Sequence, residues 1–212
     1  MSEHLNYWEN HYSKDKFRID CGSHSKPFKV FTRNFIFKNR YQSVLDCGAG
    51  LFSEYYGFKN DGVDIDYSAV EITDKYIEEG KSNGIDVVKS NIDHMPFADE
   101  SIDCVFCHDV INHQYDFRPF INELYRVCKK SAIITFFKPF CDEDDSEIKN
   151  SPFKNRYLDG IGVVLDRVTI NGEVNCIYSF FSRKEIENYL ISKKINYEIL
   201  KKHDRMFLFL MK

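Results

Sequence analysis

Five short runs of apolar, largely β-branched residues punctuate the middle of this chain: Ser43–Cys47, Gly62–Ile65, Ile85–Lys89, Ile102–Cys107 and Ala132–Phe137. Such runs suit strands buried on both faces of a parallel sheet. Longer amphipathic stretches separate them, and this alternation predicts a doubly wound α/β sheet. Ser68 and Glu71 read as an S-x-x-E capping box opening a helix with Ile72, Tyr76 and Ile77 on one side, which Asn83-Gly84 ends. Phe117, Phe120, Ile121, Leu124, Tyr125 and Cys128 recur at helical spacing, with Pro119 tolerable in the first turn. A second capping box, Ser182 with Glu185, leads into Ile186 and Leu190.

The flanks read differently. Residues 1–40 are expected to form an N-terminal helical cap, with Phe28–Lys38 helical and Tyr7, Trp8 and Tyr12 either a lid or packing for a terminal helix. Residues 41–140 would be the core of one domain spanning 1–212. Residues 141–160, opening with the acidic run Asp142–Asp145, read as loop. Val163–Ile170 and Glu173–Ser179 flank Asn171-Gly172, a strong hairpin signal, so 141–182 is expected to be a loop and β-hairpin insertion. Residues 183–212 would supply a helix and two strands, Tyr197–Lys201 and Met206–Met211, turning at His203-Asp204 to give the sheet an antiparallel C-terminal edge.

The formal charge of -4, with basic residues scattered, argues against a nucleic-acid partner. Met1–Asn10 has no apolar stretch to serve as a signal peptide, and the longest apolar runs, Ala132–Phe137 and Met206–Met211, are too short to span a bilayer. With seven cysteines, several inside strand-like runs, a cytoplasmic protein with reduced core thiols is expected.

The chemistry concentrates in Ser43-Val44-Leu45-Asp46-Cys47-Gly48-Ala49-Gly50, a strand ending in an acid followed at once by two glycines. Glycines there permit a sharp turn and close approach to a ligand. A dinucleotide site would want a third glycine, where Ser53 stands. An acid pointing into the loop disfavours pyrophosphate and favours an ammonium group. In Gly62-Val63-Asp64-Ile65-Asp66, Asp64 is expected at the end of the second strand, where a carboxylate can accept ribose hydroxyls. Asn91 after the third strand and His108 after the fourth would lie at the same sheet edge. The ligand so specified has an amine, a ribose and a base, without phosphates. S-adenosylmethionine meets that description.

Ser43–Gly50 resembles motif I of the class I S-adenosylmethionine-dependent methyltransferases, and Gly62–Asp64 their second motif. Ser90-Asn91-Ile92-Asp93-His94-Met95-Pro96-Phe97 followed by Ser101-Ile102-Asp103-Cys104-Val105 is similar to a third stretch of that family. Val110-Ile111-Asn112-His113 and Glu123-Leu124-Tyr125-Arg126-Val127 are similar to two later ones. The resemblance covers roughly residues 40–140 and is nearest the broad subgroup acting on small molecules. It implies a Rossmann-like sheet and S-adenosylmethionine as cofactor. It further implies that Asp46, Cys47, Gly48, Ala49 and Gly50 hold the methionine end, that Asp64 with Ile65 serves the ribose, that Asn91 and Ile92 flank the adenine, and that His108 lies near the methionine moiety. Phe52 stands in place of the third glycine, the helix around Ser53–Tyr56 is short, and Lys129-Lys130-Ser131 replaces a Lys-Pro-Gly turn.

His113 and Asp109 are the candidate bases for deprotonating an acceptor; each also has a structural reading. No metal is expected: Cys104 and Cys107, three apart on a strand, point to opposite faces. The leading expectation is methyl transfer to an oxygen or nitrogen of a small-molecule acceptor. The alternatives are an RNA or protein methyltransferase, or a non-catalytic cofactor-binding partner subunit.

Overall fold

The computed structural model describes residues 23–144, 146–150, 154–168 and 174–212. Tyr7, Trp8, Tyr12, Asp145 and the Asn171-Gly172 turn lie outside the described residues. The helices are α1 (Pro27–Lys38), α2 (Ser53–Asn60), α3 (Asp74–Ser82), α4 (Phe117–Val127) and α5 (Arg183–Ser192), with a 3₁₀ turn at Ile111–His113 and a single helical turn at Ser146–Lys149. The strands are β1 (Ser43–Cys47), β2 (Asp66–Glu71), β3 (Asp86–Lys89), β4 (Ile102–His108), β5 (Cys128–Phe136), β6 (Lys154–Leu158), β7 (Gly162–Val168), β8 (Val174–Phe181), β9 (Asn196–Lys202) and β10 (Arg205–Met211).

Seven strands form one sheet in the order β3-β2-β1-β4-β5-β10-β9. β1 to β5 pair in parallel, and β10 runs antiparallel to both β5 and β9. The expected antiparallel C-terminal edge is thus a pair, with β9 outermost and β10 the reversed strand. His203, at φ +56, makes the tight turn between them. The order reverses between β1 and β4, which opens a crevice at the carboxyl ends of those strands, the place where ligands bind in such sheets.

Alternation along the strands feeds two cores. Val44, Cys104, Phe106, Phe207 and Phe209 face α1, α2 and α3 through Phe28, Ile36, Phe58 and Tyr76. Leu45, Cys107, Ile134, Leu208 and Leu210 face α4 and α5 through Phe120, Leu124, Ile186 and Leu190. Cys104 and Cys107 therefore lie on opposite faces, as their spacing requires.

Four expectations need correction. Gly62–Ile65 is no strand: β2 begins at Asp66, opposite Ser43, and Val63 is turned back onto Phe58 by a backbone hydrogen bond of 3.0 Å. Ser68 and Glu71 do not cap a helix; both lie in β2, and α3 starts at Asp74 with Thr73 as N-cap. Residues 141–160 are not all loop, because Lys154–Leu158 adds a strand to the insertion and makes it a three-stranded antiparallel sheet, β6-β7-β8. Lys129 to Ser131 make no turn, since β5 already begins at Cys128. The Ser182 cap forms as expected, its hydroxyl accepting from the Glu185 amide at 3.2 Å.

Candidate functional site

The turn after β1 is built on two left-handed glycines, Gly48 at φ +75 and Gly50 at φ +53. Gly48 cannot carry a side chain for a second reason: a Cβ there would stand 2.6 Å from Val110 Cγ2. The Gly48 and Ala49 amides both donate to the Val70 carbonyl, at 2.8 and 3.2 Å, which ties the loop to β2. Phe52, where the resemblance wants a third glycine, keeps the glycine-like conformation at φ 53, ψ 34. Its ring is 1% exposed and fills the space that Gly80 of α3 leaves open.

Glu71, the last residue of β2, is the acid that meets this loop. Its Oε2 accepts from the Gly50 amide at 2.8 Å, and its Oε1 accepts from the Ile72 and Thr73 amides at 2.8 and 3.0 Å. Beside it, Thr73 Oγ1 is a buried polar atom with no hydrogen-bond partner. Asp64 is elsewhere. It is exposed and precedes the first residue of β2, so the strand's rise of ~3.3 Å per residue puts it about 20 Å from the Glu71 end. Ile65 shares that location. The acid that the structure brings to the glycine loop is thus Glu71 and not Asp64. The missed signal was spacing: Glu71 follows Gly50 by 21 positions, close to the roughly 20 that separate glycine loop and ribose acid in nucleotide-binding α/β folds.

Asp46 is buried at the end of β1, where the Tyr67 hydroxyl donates to its Oδ2 at 2.7 Å. Burial pushes its pKa up to about 7, against the pull of the Tyr67 hydroxyl and of Lys29. Cys47 contributes backbone rather than a nucleophile, since burial holds its thiol well above the usual range. Ile92 reaches the loop from the far side: its Cδ1 is 3.4 Å from the position of a Gly48 Cβ. Asn91, just past β3, is exposed at the same edge. The segment after it is held by the α4 motif residues, with Glu123 accepting from the Met95 amide and Arg126 donating to the Met95 and Phe97 carbonyls. Those two conserve the loop's shape and do not face the glycines.

His108 ends β4 inside a buried polar chain. Its Nδ1 lies 3.2 Å from Thr135 Oγ1, and its Nε2 lies 3.5 Å from Glu54 Oε1. Arg33 of α1 donates to Glu54 at 2.8 Å and to Asp61 at 2.7 Å, clamping α1 to α2. Burial, with Lys29, Arg205 and Arg33 nearby, keeps the His108 imidazole neutral, well below its usual pKa. Burial also raises Glu54 to about 7 in spite of Arg33.

The two candidate bases separate. Asp109, at φ +62, is gripped by the Arg205 guanidinium through bonds of 2.8, 2.9 and 3.0 Å. Both carboxylate oxygens are engaged by Arg205, so Asp109 ties the end of β4 to β10. His113 Nδ1 lies 3.0 Å from the Ile177 carbonyl. A carbonyl only accepts, so Nδ1 carries the hydrogen and Nε2 is the basic nitrogen. Asn112, fully buried, joins the neighbouring elements: it donates to the Ser179 carbonyl at 2.7 Å and accepts from the Phe137 amide at 2.9 Å.

Among the described residues no helix is long and apolar enough to cross a membrane. The family model described as a methyltransferase domain matches residues 45–136. The chain is 31% identical over 136 residues to the ubiquinone/menaquinone biosynthesis C-methyltransferase UbiE of Haemophilus ducreyi, covering 58% of this chain and 52% of that relative. It thus spans about half the length of the relative it matches. In three dimensions it is similar to an S-adenosylmethionine-dependent methyltransferase of Clostridium acetobutylicum, with TM-score 0.63, 13% identity and coverage of 97% of this chain and 98% of that one. It is also similar to a chain of the complex between the Haloferax volcanii Trm112 methyltransferase activator and a putative methyltransferase, with TM-score 0.67, 11% identity and coverage of 98% and 96%.

Proposed function

We propose that the chain is a class I S-adenosylmethionine-dependent methyltransferase that moves a methyl group from that cofactor to an oxygen or nitrogen of a small-molecule acceptor. The observation that carries the reading is the meeting of Glu71 with Gly50 at the mouth of the β1/β4 crevice. The donor set fits the cofactor. The glycine turn leaves room that a Cβ would fill, and Glu71 and the unpartnered Thr73 Oγ1 suit ribose hydroxyls.

In this reading the backbone of 47–50 and Asp46 hold the methionine end, Asp46 as a carboxylate opposite an ammonium. Glu71 accepts from the ribose. Asn91 and Ile92 border the adenine, Ile92 by apolar contact. The sulfonium of the cofactor supplies an already activated methyl group. What remains for the protein is alignment of the acceptor and exclusion of water. His113 Nε2 is the group suited to take a proton from a hydroxyl or ammonium acceptor. His108 acts from behind, bracing the β4 end against α1 and α2.

The Haloferax neighbour was solved with an activator, which favours a second reading: a chain that needs a partner subunit for turnover. Incubation with methyl-labelled cofactor and fractionated extract separates the possibilities. Label in the low-molecular-weight fraction supports the proposal, and mass spectrometry of the product then assigns oxygen, nitrogen or, as in the name of the Haemophilus relative, carbon. Label confined to RNA or protein would overturn it. Cofactor binding without transfer, restored by a co-purified chain, would establish the second reading.

A further inference from the structure

Lys138 follows β5 and holds its ammonium over three aromatic rings, with Nζ 5.6 Å from the Phe137 centroid and 5.5 Å from each of the Tyr178 and Phe180 centroids. Phe137 and Tyr178 meet edge to face at 6.0 Å, and the His113 ring adjoins them at 5.2 and 5.4 Å. Glu147, on the helical turn opposite, pairs with the ammonium and is itself half exposed. Strand alternation explains the cluster. Tyr178 and Phe180 share one face of β8, Phe180 fully buried in a cluster with Ile148, while Ser179 and Phe181 turn to the other face, where Ser179 is bonded to Gln114 and Phe181 packs on Phe117.

The location matters as much as the composition. Asn112 bonds both Phe137 and Ser179, so it fixes this ring cluster to the 3₁₀ turn after β4. Two residues earlier in that turn, Val110 touches the Gly48 position. The cluster therefore adjoins His113 and is tied through Asn112 to the turn whose Val110 touches the glycine loop.

Rings gathered around one ammonium form the environment that recognises weakly hydrated organic cations, each contact contributing about 0.5–2 kcal/mol. Lysine is a strongly hydrated cation on a flexible four-carbon stem, a poor permanent occupant of such a site. We propose that Phe137, Tyr178 and Phe180 form an acceptor subsite for an alkylammonium group, whose place Lys138 holds when the acceptor is absent. This deepens, and rests on, the methyltransferase reading: the acceptor is an amine-bearing small molecule. On acceptor entry Lys138 swings towards solvent with Glu147 as its counter-charge.

The test titrates the full chain with tetramethylammonium chloride against sodium chloride at equal ionic strength, following tyrosine fluorescence and the methyl resonance of the probe. Wild type, Lys138→Gln, and Lys138→Gln combined with Tyr178→Leu are compared, with Phe137→Leu replacing Tyr178→Leu if the latter melts early. The expected result is millimolar binding to Lys138→Gln at least fivefold tighter than to wild type, lost in the double variant. Binding no tighter in Lys138→Gln, or unchanged by loss of the tyrosine ring, would overturn the subsite. S-adenosylhomocysteine titrated into the same samples keeps the two claims apart. If it binds all three while the cation does not respond, the subsite alone fails. If it binds none, the methyltransferase reading fails, and the acceptor assignment with it.

Discussion

Glu54 Oε1 and His108 Nε2 face each other at 3.5 Å, and neither atom has another hydrogen-bond partner. One sits in the first turn of α2 and the other at the end of β4. A proton between them is the economical way to satisfy two buried polar atoms. The Thr135 hydroxyl donates to Asp109 Oδ1 at 3.2 Å, so neutral His108 donates to it from Nδ1–H, and Nε2 is left to face a protonated Glu54. The chain of contacts then runs from Arg33 in α1 to Asp109 and Arg205 at β10. It couples the α1 cap to the strand ends that border the crevice.

The pair has a signature in stability against pH. Glu54 rises to about 7 on folding, so the native state holds a proton there that the unfolded chain releases from about pH 4.5 upward. That contribution is present at low pH and is lost as pH rises through 7. His108 works in the opposite sense. Its lowered native pKa means that the unfolded chain takes up a proton below about 6.5, so stability falls on acidification. Removing the first effect alone by Glu54→Gln should make Tm climb more steeply between pH 5 and 7 than in wild type. Parallel curves in scanning calorimetry would show that Glu54 has no raised pKa.

Asp46 predicts how cofactor affinity depends on pH. Its native pKa of about 7 means that below neutrality binding of an ammonium must first expel a proton. The dissociation constant for S-adenosylmethionine should tighten by up to about tenfold per pH unit from 5.5 to 7, then level off. Asp46→Asn should abolish the slope while weakening binding at pH 8. A slope that survives the substitution would assign the titration elsewhere.

Glu71 and Asp64 offer a sharper contrast. Loss of a hydrogen bond to a charged carboxylate costs about 1.5–3 kcal/mol, so Glu71→Gln should weaken cofactor binding by roughly ten- to a hundredfold. Asp64→Ala, exposed at the far end of β2, should leave the constant within about twofold. The opposite ranking by calorimetric titration would restore the sequence-based assignment and refute the structural one.

That contrast marks where the sequence was readable. β1, β4, β5 and β10 were visible because their residues are apolar on both faces, and the edge strand β9 because a tight polar pair, His203-Asp204, joins it to β10. β2 was not. Asp66-Tyr67-Ser68-Ala69-Val70-Glu71 is polar for a central strand, since Tyr67 serves Asp46, Ser68 bonds Asp86 and Glu71 serves the loop. The more strand-like Gly62–Ile65 next door attracted the assignment instead. A site residue inside a strand costs that strand its apolar pattern. The Asp109–Arg205 pair was invisible for a different reason, because the partners lie 96 residues apart and no local pattern announces them.

Phe52 and Gly80 should behave as one unit. A Cβ on Gly80 would stand 2.5 Å from Phe52 Cζ, and the ring has no free space to retreat into. Gly80→Ala should therefore destabilise by about 1–3 kcal/mol, despite the better helix propensity of alanine. Shortening the ring with Phe52→Leu should cost less in the Gly80→Ala background than in wild type, with a coupling energy above about 0.5 kcal/mol. Additive losses in chemical denaturation would mean that the two do not share the space.

Asn112 should control the attachment of the β6-β7-β8 sheet. Its side chain is fully buried and bonds the Ser179 carbonyl, the Phe137 amide and, at 3.4 Å, the Lys138 amide. Asn112→Ala leaves those groups without partners in a buried place, at about 1–3 kcal/mol for each unsatisfied group. The loss should be local. Amide exchange along β8, from Ile177 to Phe181, should accelerate at least tenfold, while β1 and β4 exchange as before. Asn112→Asp keeps the acceptor but turns a carboxylate towards the Ser179 carbonyl, so it should loosen β8 as much as alanine does. If β8 stays protected in both variants, the Ser179–Gln114 and His113–Ile177 bonds suffice to hold the small sheet, and Asn112 is not its anchor.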